Sequence, residues 1–284
     1  MPVKVTALNI YPIKSCAGTA LNSARIGLKG IIYDRNWMLV DDMGDALTQR
    51  EVPQLCLVKP SLSETGENIE IRLNADGMKE LQITESKNGG NSGYDSDYDE
   101  AEELEVTLFG HHLQAQEVSP SASKWFSSFL NRKARLVRMA PDYTRQVDQN
   151  YALRETDQTG FADEFPLLLI SQESLNELNN RLDEALPMNR FRPNIVVQGC
   201  EAFEEDDWKT IRIADVTFDV VKPCARCTIT TTNQATGERG VEPLRTLAQF
   251  RKQEGGVMFG QNLVQQGEGR INVTDAVEII ARAN

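Results

Sequence analysis

Two cysteines three positions apart flank an arginine in the segment Cys224-Ala225-Arg226-Cys227. Such a pair can be half of a structural zinc site, a redox dithiol, or two small residues packed at the end of a strand. Structural zinc needs four ligands, and the sequence has neither a second C-x-x-C nor a histidine near this one. A redox dithiol sits at the start of a helix, whereas residues 228–232 (TITTT) have the β-branched composition of a strand. Zinc and dithiol chemistry are therefore disfavoured, and simple packing remains open.

The arginine inside this segment favours a third chemistry. A cation beside a thiol stabilises the thiolate, which is the form that ligates a soft metal. The same guanidinium group can hold an oxyanion through two hydrogen bonds. Arg226 therefore indicates a metal–thiolate site that also binds an anion.

Further cations occur in distant segments. Lys14 and Ser15 follow a proline turn, where an amine and a hydroxyl group can hold a phosphate. Arg35 and Arg192 each lie close to a large aromatic residue, so both can be partly buried and would then need an anionic partner. A solvated Lys14 and structural ion pairs, such as Arg35 with Asp34, remain open alternatives.

Other kinds of active site find little support. The only histidines, His111 and His112, are adjacent and lie between two strand patterns, which favours a turn over a general base. The sequence therefore offers little support for a Ser-His-Asp or Cys-His active site, because both need a histidine as general base. Neither the G-x-x-x-x-G-K-[ST] nor the G-x-G-x-x-G motif occurs, so a P-loop or Rossmann nucleotide site is not expected.

Charge and composition restrict the partners and the compartment. The net charge of -12 argues against nucleic-acid binding, although seven of the acids lie in residues 94–105, so the remainder can still form a basic pocket. There is no apolar run of about 18 residues and no signal-peptide pattern, and five cysteines do not suggest a disulfide framework. We therefore expect a cytoplasmic protein without a membrane span.

The elements that must position the candidate residues are mostly strands. In the first half, strands are predicted at 3–13, 31–40, 69–73, 81–84, 104–109 and 134–139, with one helix at 121–131. A solvated loop is predicted at about 87–103, and residues 141–160 form a polar junction.

The second half has the same character. Strands are predicted at 166–170, 194–197, 210–213, 216–221, 228–232, 271–273 and 277–280, and helices after Ser171 and at 242–252. Since no βαβ alternation occurs, the sequence predicts a predominantly β, α+β protein with β-barrel-like sheets.

Seven segments in this order resemble a known family. They are LNIYPIKSCAG (8–18), YDRNWMLVDDMG (33–44), LTQREVPQL (47–55), FADEFPLLLISQESLNEL (161–178), NRFRPNIVVQG (189–199), DDWKTIRIADVTFDVVKPCARC (206–227) and FGQNL (259–263). The chain is similar to MOSC proteins with an N-terminal MOSC β-barrel domain, in the subgroup of the mitochondrial amidoxime-reducing component and its bacterial relatives. The resemblance covers nearly the whole chain. It implies an N-terminal β-barrel domain over 1–140 and a MOSC domain over 141–284.

The resemblance also implies a cofactor, the molybdenum–molybdopterin cofactor, and residues that hold it. Cys227 would ligate the metal, and Lys14, Ser15, Arg35 and Arg192 would hold the pterin phosphate. The residues that would meet the cofactor beside these are Glu164, Phe165, Ala225 and Arg226.

The function that the resemblance implies is reduction of N-hydroxylated compounds, with a role in detoxification. Electrons would come from a separate flavin or iron–sulfur reductase, because no C-x4-C-x2-C pattern for an iron–sulfur cluster occurs in this chain. The acidic residues 94–105 could be a solvated loop or a dock for a basic face of that donor. Two other functions remain open: a sulfur carrier with a persulfide on Cys227, and a binding module for the pterin cofactor without catalysis.

Overall fold

The structure is a computed structural model that describes residues 2–87, 103–140 and 142–283, and strands dominate these ranges. The fold class predicted from the sequence, α+β with mostly β structure, is confirmed. Most of the acidic segment at 94–105, and of the loop predicted at about 87–103, lies outside the described residues. Among the helices in the described ranges, none has the length and apolar composition that a membrane crossing requires.

The first half of the chain contains short strands and one amphipathic helix. Ser119 caps the helix α1 (Pro120–Leu130), since its hydroxyl group accepts a hydrogen bond from the amide of Ala122. The strands are β1 (Lys4–Ile10), β2 (Thr19–Leu21), β3 (Ser23–Gly27), β4 (Gly30–Ile31), β5 (Trp37–Val40), β6 (Ala46–Leu47), β7 (Lys59–Thr65), β8 (Asn68–Asn74), β9 (Leu81–Ser86), β10 (Glu103–Leu108), β11 (His111–Glu117) and β12 (Arg135–Met139).

The second half adds a longer sheet and two short helices. Ser171 caps α2 (Gln172–Asn179), as the sequence predicted, and α3 spans Leu244–Phe250. The strands are β13 (Leu167–Ser171), β14 (Ile195–Gln198), β15 (Trp208–Ile213), β16 (Val216–Ala225), β17 (Lys252–Gln253), β18 (Gly256–Gln265), β19 (Gly269–Asn272) and β20 (Val277–Arg282).

The largest sheet joins the two ends of the chain. Its order is β2-β1-β14-β13-β18-β16-β15-β20, with β17 paired to β18. β1 pairs antiparallel with β14, and the small sheet β19-β3-β4 likewise combines early and late strands. One buried apolar cluster therefore contains residues from both ends, such as Leu8, Ile26 and Phe218. The division at residue 140 stays a prediction.

A five-stranded sheet and a hairpin sheet complete the first half. The order β10-β11-β12-β5-β6 carries β5, which is buried throughout, and α1 packs beside β12. The three strands β7-β8-β9 close a second apolar core around Trp37 and Phe126. These sheets place the turn between β4 and β5 next to the late strands of the large sheet.

The strand predicted at 31–40 is wrong in its middle. β4 ends at Ile31 and β5 begins at Trp37, with a turn between them in which the amide of Asp34 donates to the carbonyl of Ile31. The reason is a long-range contact: the buried carboxylate of Asp34 accepts the amide of Tyr11 at 2.8 Å. A tertiary hydrogen bond overrides the local strand preference.

The strand predicted at 228–232 is also wrong, because Thr228–Thr231 form a 3-10 helix. The hydroxyl groups of Thr230 and Thr231 donate to the carbonyls of Cys227 and Thr228, at 2.9 and 2.8 Å. Such side-chain bonds to a preceding carbonyl give threonine an alternative to the β ladder. The turn predicted at the two histidines lies instead at Phe109 and Gly110, since β11 begins at His111. The strands β2, β3, β6, β7, β17 and β18 were not predicted.

Candidate functional site

A cavity of about 600 Å³ lies between residues of both halves of the chain, within the range of about 300 to 1,000 Å³ that is usual for ligand sites. All nine residues singled out from the sequence line it: Lys14, Ser15, Arg35, Glu164, Phe165, Arg192, Ala225, Arg226 and Cys227. Five separate segments thus meet at one place, although the roles given to these residues stay predictions.

Two arginines share one aromatic ring. The guanidinium carbons of Arg35 and Arg192 each lie 4.3 Å from the ring centroid of Tyr11, whose hydroxyl group donates to the carbonyl of Pro193 at 3.1 Å. Burial raises the pKa of Tyr11 to about 12, so the ring carries no charge of its own near neutral pH. Tyr11 therefore fixes the spacing of two cations that would otherwise repel each other.

The remaining contacts of these arginines are largely to backbone and neutral groups. Arg192 is 9% exposed and donates to the carbonyl of Cys16 at 2.7 Å, and burial lowers its pKa. Arg35 pairs with Asp34 and donates to the side-chain oxygen of Asn194 at 3.0 Å. In the described part of the chain, the buried Arg192 cation forms no ion pair with a carboxylate, which suits an anionic ligand.

Four of the described lining residues have a left-handed backbone, namely Ser15, Arg35, Phe109 and Arg192. Ser15, Arg35 and Arg192 have φ values of 70°, 48° and 57°, which cost of order 1 kcal/mol each for residues other than glycine. Long-range hydrogen bonds hold them, since Ser15 receives the amide of Gln49 and the carbonyl of Arg35 receives the amide of Phe161 at 2.8 Å. Strain of this kind concentrates at functional sites.

The buried Lys14 pairs with Asp163, whose side chain is half exposed, on one wall. The Lys14 ammonium lies 2.5 Å from the Asp163 carboxylate and 2.7 Å from the carbonyl of Phe161. Burial lowers the pKa of Lys14 to about 8, against the opposing effect of Asp163. Burial also acts to raise the pKa of Asp163, but attraction to Lys14 and Arg50 outweighs it and holds that pKa well below its usual range.

The two cysteines have different cationic neighbours. The Arg226 guanidinium donates to the Cys224 sulfur at 2.9 Å and to the carbonyl of Phe191 at 2.7 Å. Burial raises the pKa of Cys224, and Arg226 counteracts this rise. The arginine that the sequence suggested as a neighbour of Cys227 thus contacts Cys224.

Cys227 faces Arg50, which sequence reasoning did not select. Burial acts to lower the pKa of Arg50, but attraction to Asp163 and to Cys227, with hydrogen bonds to both, raises it overall. Arg50 bonds the Asp163 carboxylate at 3.1 Å, so a single guanidinium connects the thiol to the Lys14–Asp163 pair. Cys227 itself directly precedes the 3-10 helix at Thr228–Thr231.

The lining carries an excess of positive charge. The described lining residues include five cations, Lys14, Arg35, Arg50, Arg192 and Arg226, and two carboxylates, Asp163 and Glu164, while Asp34 pairs with Arg35 from outside the lining. Lys222, which is not part of the lining, pairs with Glu164 at 3.0 Å, so the charge of this carboxylate is already balanced. The buried Nε of Arg226 also lacks a hydrogen-bond partner within the described structure. A cysteine beside a cationic, partly unsatisfied wall fits a ligand that combines a soft metal with a phosphate.

Two polar lining residues that sequence reasoning did not select are Arg50 and Asn194. Both lie within quoted segments, LTQREVPQL and NRFRPNIVVQG. In the sequence, no local feature distinguishes Arg50 from an exposed arginine, because its contact with Cys227 joins residues 177 positions apart.

Comparison with known proteins gives two family matches that together span most of the chain. Residues 2–133 match the MOSC N-terminal beta barrel domain, and residues 156–278 match the MOSC domain. The cavity draws on both matched regions, since Lys14, Arg35 and Arg50 lie in the first and Arg192, Arg226 and Cys227 in the second.

Individual relatives resemble the chain over most of its length. The mitochondrial amidoxime-reducing component 1 of Mus musculus is 32% identical, covering 98% of this chain and 82% of that protein. The mitochondrial amidoxime reducing component 2 of Bos taurus is 36% identical, covering 87% and 72%. The molybdenum cofactor sulfurase of Oryza sativa subsp. japonica is 33% identical over 91% of this chain, which spans only 32% of that longer protein.

Proposed function

Because this chain belongs to the family of MOSC-domain proteins with an N-terminal MOSC β-barrel domain, we propose that it binds a molybdenum–pterin cofactor and uses it to reduce N-hydroxylated compounds. The observation that carries this proposal is the single cavity in which Cys227 meets cations from four distant segments. The names of its relatives, amidoxime-reducing components and molybdenum cofactor sulfurases, support a function related to this cofactor.

The cations would hold the phosphate of the cofactor. Arg35 and Arg192, spaced by Tyr11, present two guanidinium groups, and guanidinium binds phosphate oxygens in pairs. Lys14 adds an ammonium group and Ser15 a hydroxyl group from the same wall. Burial strengthens these contacts, because charge–charge attraction grows as water is excluded.

Cys227 would supply the single protein ligand to the metal. A thiolate suits a soft metal, and the Arg50 guanidinium lies beside the Cys227 sulfur. Cys224 is the less suitable ligand, because burial raises its pKa and its sulfur already accepts a hydrogen bond from Arg226. Ala225 and Arg226 would flank the cofactor, and Glu164 and Phe165 would meet it from the opposite segment.

When bound, the cofactor supplies the two electrons that, with two protons, convert an N–OH group into N–H and water. The chain's own residues orient the cofactor, hold its charge and limit the access of water. Electrons would come from a separate flavin or iron–sulfur reductase.

Metal analysis with two matched variants tests this proposal. Protein from a host that makes the molybdenum cofactor is expected to contain about one molybdenum per chain and to reduce an amidoxime when supplied with a chemical reductant. Cys227→Ala should lose the metal and the activity, because it removes the only proposed protein ligand. Cys224→Ala should keep most of the metal, and equal loss in both variants would contradict the assignment of Cys227.

A sulfur carrier is the second candidate, and the similarity to the rice molybdenum cofactor sulfurase favours it. In that case Cys227 would carry a persulfide, and the protein would not need stoichiometric molybdenum. Wild-type protein without molybdenum but with a persulfide on Cys227, detected by mass spectrometry, would select this function. Stoichiometric molybdenum without turnover would instead indicate a binding module.

A further inference from the structure

A phenylalanine stands at the rim of the cavity on the tip of a hairpin. Phe109 and Gly110 form the two-residue loop between β10 and β11, whose flanking residues Leu108 and His111 are paired. Phe109 lines the cavity, yet 44% of its surface is exposed, which makes it one of the large apolar residues that the fold leaves in contact with water. The first half of the chain thus presents an aromatic ring to a cavity built largely by the second half.

The turn that carries this ring does not favour phenylalanine. Phe109 has φ 52° and Gly110 has φ 81°, so both central residues are left-handed, as in a type I′ turn. Asparagine, aspartate or glycine is the usual first residue of such a turn, and a bulky aromatic residue there is an outlier. Local stability therefore does not explain why this position holds a phenylalanine.

The contacts of the ring point into the cavity. The Arg50 guanidinium carbon lies 4.2 Å from the ring centroid of Phe109, and the Lys14 ammonium lies 5.0 Å from it. Arg50 is also the cation that faces Cys227. The ring is therefore held beside the proposed reaction centre by two cation–π contacts, and much of its surface remains free.

We propose that Phe109 is a specificity-determining residue, which packs against the flat aromatic part of a substrate whose N–OH group points towards Cys227. This inference rests on the proposed function, and it names the preferred substrates as aromatic N-hydroxylated compounds over small aliphatic ones. Aromatic pairs contribute binding energy beyond simple burial, enough to separate the two classes by several-fold.

The test compares two amidoximes that differ only in the group beside the amidoxime carbon, benzamidoxime and acetamidoxime. Their dissociation constants are measured by calorimetry on molybdenum-loaded protein without reductant, and KM and kcat are measured with reductant. Phe109→Asn is the main variant, because asparagine suits the turn and should leave the melting temperature unchanged or raised. We expect about a fivefold weaker affinity and a higher KM for benzamidoxime, and no change for acetamidoxime.

Two further variants complete the design. Phe109→Tyr should restore benzamidoxime binding, because it keeps the ring, and Leu153→Asn should change neither ligand, because that exposed residue is not part of the lining. Equal losses for both ligands, or no loss for either, would overturn the role of Phe109. Intact binding selectivity without turnover would instead contradict the reductase function and leave the aromatic contact standing.

Discussion

Lys14, Arg35 and Arg192 are cations that the fold removes from water at considerable cost. Lys14 is 4% exposed and Arg192 is 9% exposed, and burial of a cation is unfavourable unless an opposite charge or good hydrogen bonds compensate it. For Lys14 the compensation is Asp163, while Arg192 has the Tyr11 ring and the carbonyl of Cys16. At the residue scale, the cavity is thus prepared to receive negative charge.

The lowered pKa of Lys14 leads to a prediction about pH. Burial brings that pKa to about 8, so the amine is charged below this pH and loses its proton as the pH rises through it. Since a phosphate group binds the charged form, the affinity of cofactor-free protein for inorganic phosphate should fall about tenfold between pH 7 and pH 9.5. Calorimetric titrations across this range measure the fall.

Lys14→Arg is the matched variant for this measurement, because arginine stays charged throughout the range. Its phosphate affinity should vary little with pH. A wild-type profile as flat as that of the variant would show that Lys14 does not contribute its charge to anion binding.

At the scale of elements, close packing between strands restricts what the sequence can tolerate. Gly260 lies within β18 with φ 82°, and a Cβ built there would approach the Ile170 side chain to 2.6 Å and the carbonyl oxygen of Leu169 to 2.9 Å. Both contacts come from β13, the neighbouring strand in the large sheet. This glycine is needed for conformation and for space, which explains its place within the FGQNL segment.

A pair of glycine substitutions separates these two requirements. Gly77 has a similar φ of 76°, but a Cβ there would meet nothing within 4 Å. Gly77→Ala should therefore lower the free energy of unfolding by about 1 kcal/mol through backbone strain alone, and Gly260→Ala by more than about 2 kcal/mol. Denaturant titrations give both values, and equal losses would mean that β13 and β18 can move apart.

At the scale of the whole molecule, the cavity exists because the chain returns to its beginning. β1 pairs with β14 and β3 pairs with β19, so the large sheet and its core include residues from both ends of the sequence. Lys14 reaches Asp163, and Arg35 reaches Asn194, across the same junction. The geometry of the cavity and the packing of the two halves are therefore linked.

This arrangement predicts that the second half alone does not fold. A fragment of residues 141–284 lacks β1 and the apolar side chains of Val5, Leu8 and Ile10, which lie in the core of the large sheet. We expect it to show no cooperative thermal transition by circular dichroism, in contrast to the full chain. A fragment that unfolds cooperatively near the full-length melting temperature would show that the MOSC region is stable without its N-terminal strands.

Local patterns in the sequence predicted several features correctly. The composition and strand periodicity gave the predominantly β class, and Ser171 gave the start of α2. The resemblance to the MOSC family, carried by the order of the motifs, indicated nine of the residues that line the cavity. The first two features follow from side-chain types and short spacings, which a sequence displays directly, and the third from the resemblance.

Contacts between distant segments decided most of the rest. The hydrogen bond between Asp34 and Tyr11 replaced a predicted strand with a turn, because it outweighs strand preferences that span about 1 kcal/mol. The 3-10 helix after Cys227 depends instead on local hydrogen bonds from threonine hydroxyl groups. The tertiary structure also places Arg226 beside Cys224 and Arg50 beside Cys227. The residue types thus determined which chemistry is possible here. The tertiary structure, which brings together residues nearly two hundred positions apart, determined which cation lies beside which cysteine.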